Sequence, residues 1–271
     1  MFDTTLIAQA PIISLLIGLV AVLSVSISKA GFGGAMGSLS MPIMLLIFTP
    51  TLSLGILLPL FIIIDIWVVW SWRHLGSRRI ILFLTISGLL GQLLGWALLR
   101  IGAIDDNFLT LFISLLALYT GGKYFIAKMF RTQSAQAARA VIKHYRERVI
   151  SRAVLWGGLS GFSSFVSLTG GIPAQVYLLP LGLSRQMFVS TMAWYLLFIN
   201  LAKIPFFTNL SFIDASTLTV SAMLLPAVPV GILIGRWANR TMSDTIFYVI
   251  THALLIILGL QLFGRFWNGV T

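Results

Sequence analysis

The chain has 271 residues, of which 58% are hydrophobic and 9% are charged. An ordinary soluble domain has about 25% charged residues, so this composition excludes a soluble globular protein. The formal net charge is +11 and the chain has no cysteine, which excludes disulfide bonds and thiolate metal sites. Most Lys and Arg residues lie in short segments between apolar runs, as in the cytoplasmic loops of membrane proteins. We therefore expect no nucleic-acid partner and no cofactor.

Apolar runs recur from residue 6 to residue 267, which is too extensive for a signal peptide. Runs such as 52–70 and 80–99 lack the alternation of a membrane β-strand. Because a helix needs about twenty residues to cross a bilayer, the sequence predicts an all-α polytopic membrane protein. Eight long transmembrane helices are expected at residues 10–29, 52–72, 79–100, 107–127, 150–169, 185–208, 216–236 and 245–265.

Two shorter apolar segments, 34–49 and 172–183, are each preceded by glycines and contain a proline. Whether they cross the membrane or dip in and return decides the topology. The positive-inside rule places the basic loops 73–79 and 128–152 in the cytoplasm. The two predicted helices between these loops are joined by an acidic turn around residue 105, which suits the opposite side.

The orientation of the second half depends on segment 172–183. If it crosses, Arg185, Arg236 and Arg240 face the cytoplasm and Asp214 lies outside. If it returns, the three arginines face outward, against the rule. We predict that it crosses, and that segment 34–49 does the same. Each half then has five elements, and an odd number of elements inverts the second half.

The sequence thus predicts two inverted-topology halves. The N-terminal transmembrane repeat spans 1–127 and the C-terminal repeat spans 153–271. Between them, residues 128–152 form a basic amphipathic linker, which we expect to lie on anionic lipid at the cytoplasmic surface.

Each short segment follows a glycine-rich motif, Gly31 to Gly37 in the first half and Gly161 to Gly171 in the second. Paired Gly/Pro-broken segments at matching places in two halves are typical of transporter substrate sites. Helix N-terminal amides at membrane depth attract anions. The predicted contacts are backbone at Gly33, Gly34, Gly170 and Gly171, and hydroxyls at Ser38 and Thr169. The alternative is that these glycines only let helices pack closely, as we expect for Gly88, Gly91 and Gly95.

Ionisable residues inside the apolar segments are the second indication of a site. A charge at the bilayer centre costs about 2.5–3.5 kcal/mol, so few are retained without a role. Asp65 is too short to reach the interface, and we expect it to have a buried partner or to bind a coupling ion. Lys203 could either reach outward or face the core, with Asn200 on the same helix face. Lys29, at the end of the first helix, is the other candidate for an anion.

At these residues the sequence resembles the sulfite exporter TauE/SafE family of anion permeases. The shared features are the run from Lys29 to Ala35 with Pro42, Asp65 ahead of a basic turn, the run Thr169 to Pro173, and the run Asn200 to Lys203. The resemblance covers nearly the whole chain. The sequence differs from the family at Ser163 to Ser167, where members usually have a glycine-rich run. The resemblance implies carriers of sulfite, sulfonates and related organosulfur anions.

The resulting hypothesis is a secondary transporter that works by alternating access in the cell membrane, the inner membrane of a bacterium. Its partners would be a small anionic substrate and membrane lipids, and a homodimer is left open. Without a Walker A loop, ATP is not the direct energy source. With scattered acids and three histidines, the chain lacks the groups of an enzyme active site. A passive anion channel and a carrier of a cationic or neutral solute remain as alternatives.

Overall fold

The computed structural model of the chain confirms an all-α polytopic membrane protein. The part that it describes contains α-helices, short turns and no strand. The described residues are 11–32, 39–129, 149–178, 181, 183, 185–241, 249, 252, 253, 256, 257, 259–264, 266 and 267. The predicted linker therefore lies largely outside the described residues, and the boundaries of the two repeats stay predictions.

The helices follow the predicted apolar segments closely. In the first half they are α1 (Pro11–Phe32), α2 (Ser40–Met44), α3 (Pro50–Trp72), α4 (Arg78–Arg100) and α5 (Asp106–Met129). In the second half they are α6 (Val149–Ser167), α7 (Gly171–Leu178), α8 (Arg185–Asn209), α9 (Ala215–Leu224) and α10 (Ala227–Thr241). Within the described residues, the two short segments contain the short helices α2 and α7, and whether these segments cross the membrane stays a prediction.

Five helices of the described part are long and apolar enough to cross a membrane, in α1, α3, α4, α5 and α8. The prediction of one continuous helix at 216–236 is wrong, because α9 and α10 are bent by 46° at a break. Pro226 lies in this break, and proline has no N–H to continue the helical hydrogen bonds. Counted as one broken span, the pair gives six. The last predicted helix, 245–265, lies partly outside the described residues, so the total of eight stays a prediction.

With the bent pair α9 and α10 counted as one element, each half packs its first helix against the fourth element of the other half. In the pair α4 and α6, a Cβ added to Gly91 would lie 2.0 Å from the carbonyl oxygen of Gly158. In the pair α1 and α10, a Cβ on Gly235 would lie 2.5 Å from the carbonyl oxygen of Ile27. These helices touch backbone to backbone, which confirms that Gly91 is a packing glycine.

The third elements of the two halves, α3 and α8, run antiparallel. Gly55 approaches Phe212 at one end, and the N–H of Ser77, just after α3, donates to Thr191 near the start of α8. Between these contacts, Asp65 meets Asn200. Two equivalent helices that run in opposite directions are the arrangement expected for inverted halves.

The same contacts place Asp214 and the basic turn at Arg73 at opposite ends of the molecule. Asp214 precedes α9 and caps it: its carboxylate accepts from the N–H of Thr217, and the Thr217 hydroxyl accepts from the N–H of Asp214. The backbone N–H of Thr217 holds the pKa of Asp214 below its ordinary value. The chain then returns through α9 and α10, so Arg236 lies toward the end that carries Arg73.

Candidate substrate site

A chain of buried polar side chains joins the two halves where α1, α3, α6 and α8 meet. Lys29 Nζ contacts Asp65 Oδ1 at 2.7 Å, and Asn200 Nδ2 donates to Asp65 Oδ2 at 2.6 Å. Lys203 Nζ donates to Asn200 Oδ1 at 2.9 Å and to Ser164 Oγ at 2.7 Å. All of these residues are buried. We call this set, Lys29, Asp65, Ser164, Asn200 and Lys203, the polar cluster.

The polar cluster lies near the middle of the spans because α3 and α8 cross there. Asp65 stands four residues after Phe61, the central residue of α3, which is about 6 Å along the axis. Asn200 stands three residues after the centre of α8, about 4.5 Å along its axis. The antiparallel packing brings these two side chains together from opposite halves.

Both carboxylate oxygens of Asp65 have partners. One carboxylate oxygen contacts the Lys29 ammonium and the other accepts from Asn200. The Lys29 ammonium also lies 4.2 Å from the centre of the Phe61 ring, where the aromatic face attracts a cation. The expectation of a buried partner for Asp65 is therefore confirmed, and that partner is Lys29.

Lys203 faces the core, with 0% of its surface exposed, so it does not reach out to the interface. Both of its hydrogen-bond acceptors, Ser164 Oγ and Asn200 Oδ1, are neutral groups. The ion pair of the polar cluster is that of Lys29 with Asp65. With both lysines protonated, the polar cluster holds two positive charges and one negative charge.

A small crevice adjoins the polar cluster. It is lined by Lys29, Asp65, Val68, Val189, Ala193 and Leu196. It encloses about 170 Å³ of empty space that is too narrow for a water molecule. In this conformation every side chain of the polar cluster is buried, so a substrate would need the surrounding helices to separate.

The structure describes the second glycine-rich motif but only Gly31 and Phe32 of the first. Gly33, Gly34 and Ser38 lie outside the described residues. Thr169 and Gly170 are buried just before α7, and Gly171 is its first residue.

The hydroxyl groups of Thr169 and Ser167 form a hydrogen bond of 2.5 Å. A Cβ added to Gly170 would lie 2.4 Å from the Cβ of Ser164. In this conformation Gly170 serves close packing of α7 on α6, the alternative that the sequence had left open. The predicted substrate contacts at these residues stay predictions.

Ser164 is the member of the polar cluster that the sequence reasoning missed. The first residues of α3 and α8, Pro50 and Arg185, differ by 185 − 50 = 135 positions. The same offset relates Asp65 to Asn200 (200 − 65 = 135) and Lys29 to Ser164 (164 − 29 = 135). Aligning the two halves on the starts of α3 and α8 would have identified Ser164.

No group of three or more His, Asp or Glu residues that could hold a metal ion occurs in the part of the chain that the structure describes. The polar cluster contains one carboxylate and two amines, which suits a protonated network better than a cation site. With both lysines protonated, the surplus charge of the polar cluster is positive.

No curated protein and no solved structure matches the chain. The sequence model of the sulfite exporter TauE/SafE family matches residues 16–262. This range covers most of the chain and every member of the polar cluster. The chain therefore belongs to the sulfite exporter TauE/SafE family, membrane transporters of sulfur anions such as sulfite.

Proposed function

We propose that this chain is a secondary transporter that moves a small sulfur oxyanion, sulfite or a sulfonate, across the bacterial inner membrane by alternating access. The observation that carries the proposal is Lys203, a fully buried lysine whose two hydrogen-bond acceptors are neutral. A buried charge without an opposite charge is costly, and an anionic substrate supplies one.

The polar cluster offers a simple exchange of partners. When an anion reaches Lys203, its oxygens replace Ser164 and Asn200 as acceptors of the ammonium hydrogens. The freed Ser164 hydroxyl can then donate to the same anion. Asn200 keeps its contact with Asp65, and Asp65 keeps Lys29. The substrate therefore binds without breaking the ion pair.

The burial of the polar cluster suits the occluded state of a carrier. The space beside the cluster does not admit a water molecule, so a substrate could reach the cluster only after a conformational change. In the proposed cycle, the helix pairs α4 with α6 and α1 with α10 rock around the α3 and α8 crossing. The polar cluster is then exposed to one side at a time.

The alternative of a cationic solute depends on Asp65 as its binding group. Both oxygens of this carboxylate already accept hydrogen bonds, from Lys29 and from Asn200. A cation would have to displace the Lys29 ammonium from a buried site. The charge of the polar cluster therefore favours an anion.

A binding screen on the purified protein in detergent tests the charge of the substrate. Thermal unfolding is followed with sulfite, sulfoacetate, taurine, sulfate and a primary amine, with sodium chloride at equal ionic strength as the control. A ligand at a hundred times its Kd stabilises the native state by about 2.7 kcal/mol. We expect stabilisation by one or more of the sulfur anions. Stabilisation by the amine alone would refute the proposal.

A further inference from the structure

A second cavity lies at the turn between α3 and α4, on the lipid-facing side of the helices. It has a volume of about 660 Å³, which is within the usual range for a small-molecule site. Its walls come from this turn, the first two turns of α4 and the middle of α8. The lining residues are Arg73, His74, Gly76, Arg78, Ile81, Leu82, Thr85, Trp194 and Phe198. We call this cavity the turn cleft.

The rim of the turn cleft is basic. Arg73, His74 and Arg78 line it and are exposed. Arg73 Nε donates to His74 Nε2 at 3.0 Å, which fixes the two side chains next to each other. Neither arginine forms an ion pair with a described carboxylate. The rim therefore presents guanidinium groups, which match phosphate oxygens in geometry and charge.

The floor of the turn cleft is apolar and faces the membrane. Leu82 and Phe198 are 58% and 41% exposed, on spans that hydrocarbon surrounds. The Trp194 and Phe198 rings stack at 5.5 Å and form one wall. A free inorganic anion would gain nothing from this floor, whereas an acyl chain would replace bulk lipid along it.

One polar group interrupts the apolar floor. Thr85 Oγ1 is buried and has no hydrogen-bond partner among the described residues. It lies two helical turns into α4 from Arg78, which is about 10 Å along the axis. Because an unpaired buried hydroxyl is costly, an acceptor in the cleft, such as the ester carbonyl of a lipid, would stabilise Thr85 if its side chain turned toward it.

We propose that the turn cleft binds one anionic phospholipid from the leaflet at this end of the protein. Its phosphodiester lies between Arg73 and Arg78, its ester region reaches the Thr85 hydroxyl, and one acyl chain follows Leu82 and Phe198. This site is separate from the polar cluster. Trp194 and Phe198 lie on the face of α8 that borders the turn cleft, whereas Ala193 and Leu196 border the buried crevice.

Native mass spectrometry of the purified protein tests the proposal. The protein in detergent is titrated with phosphatidylglycerol or with phosphatidylcholine of identical acyl chains. We expect one phosphatidylglycerol to bind tightly and phosphatidylcholine to bind weakly. At about 1 kcal/mol per cation, the double variant Arg73→Gln and Arg78→Gln should weaken phosphatidylglycerol binding about 30-fold.

The matched control removes two exposed cations elsewhere, Arg100→Gln together with Lys123→Gln. Each of these side chains lies over an aromatic ring outside the turn cleft. This control should keep the affinity within about 3-fold of the native protein. An equal loss in both double variants would show that only overall charge matters and would overturn the site.

Two further arms separate the lipid from other sources of the same chemistry. Glycerol phosphate, which has the phosphate without acyl chains, should not displace phosphatidylglycerol, because it cannot use the apolar floor. Sulfite should not displace it either. Displacement by either small anion would contradict the lipid proposal and indicate a water-filled entrance instead.

Discussion

Replacing Lys203 by Gln tests the role of the buried cation in substrate binding. The glutamine amide can still donate to Ser164 or Asn200, so the polar cluster keeps a donor while it loses its surplus positive charge. A hydrogen bond to a charged group contributes about 1.5–3 kcal/mol, which corresponds to about 10- to 150-fold in Kd. We therefore expect Lys203→Gln to weaken sulfur anion binding by this factor.

We expect the same variant to be at least as stable as the native protein in the absence of ligand. The change removes a fully buried ammonium whose acceptors are neutral. Replacing a buried charge by a neutral group of similar volume is often neutral or stabilising. Without ligand, the variant should unfold at the same temperature as the native protein or at a higher one.

The assay is a ligand titration followed by thermal unfolding in detergent, with Lys123→Gln as the control. Lys123 is an exposed lysine whose ammonium lies 5.5 Å from the Tyr119 ring centre. The control removes the same charge far from the polar cluster and should bind the anion like the native protein. Unchanged affinity in Lys203→Gln, or equal losses in both variants, would refute the role assigned to Lys203.

Three further predictions follow from the packing and the topology. Asp65→Asn leaves Lys29 as an unpaired buried cation, so it should lower the free energy of unfolding by about 3–5 kcal/mol. Adding Lys29→Met should restore most of this loss in denaturant titrations. A double variant no more stable than the single one would contradict the ion pair. Gly91→Ala should lower the free energy of unfolding by about 1–3 kcal/mol or more and broaden the size-exclusion peak. Gly122→Ala should do neither, because a Cβ at Gly122 would meet open space. Arg236→Cys, in a chain without native cysteine, should react with an impermeant maleimide only after the cells are permeabilised; labelling of intact cells would contradict the inverted topology.

Much of the fold could be predicted from hydrophobicity because each long apolar run has few other ways to satisfy its backbone in a membrane. The helix α3 begins at Pro50, two residues before its predicted start, and α8 begins at Arg185, as predicted. The break between α9 and α10 was missed, although Pro226 was visible. Proline inside a membrane helix is often tolerated, as Pro59 in α3 shows, so its presence alone did not predict a break.

The polar cluster was only partly predictable. Asp65, Asn200 and Lys203 were identified because charged and amide groups are rare in apolar runs. Their connection was not, since the approach of α3 to α8 depends on tertiary packing between residues 135 positions apart. Ser164 gave no signal of its own, because serine occurs commonly in membrane helices and its role depends on the lysine that reaches it.

The central claim, that this chain carries sulfur oxyanions, is tested most directly by counterflow in proteoliposomes. Vesicles with purified protein are loaded with unlabelled sulfite, and uptake of radiolabelled sulfite is compared with protein-free vesicles and with the Lys203→Gln variant. We expect saturable uptake that internal sulfite or a sulfonate accelerates and that Lys203→Gln reduces at least about 10-fold. The absence of exchange with every sulfur anion tested, or uptake that is linear with concentration and insensitive to internal substrate, would contradict the account.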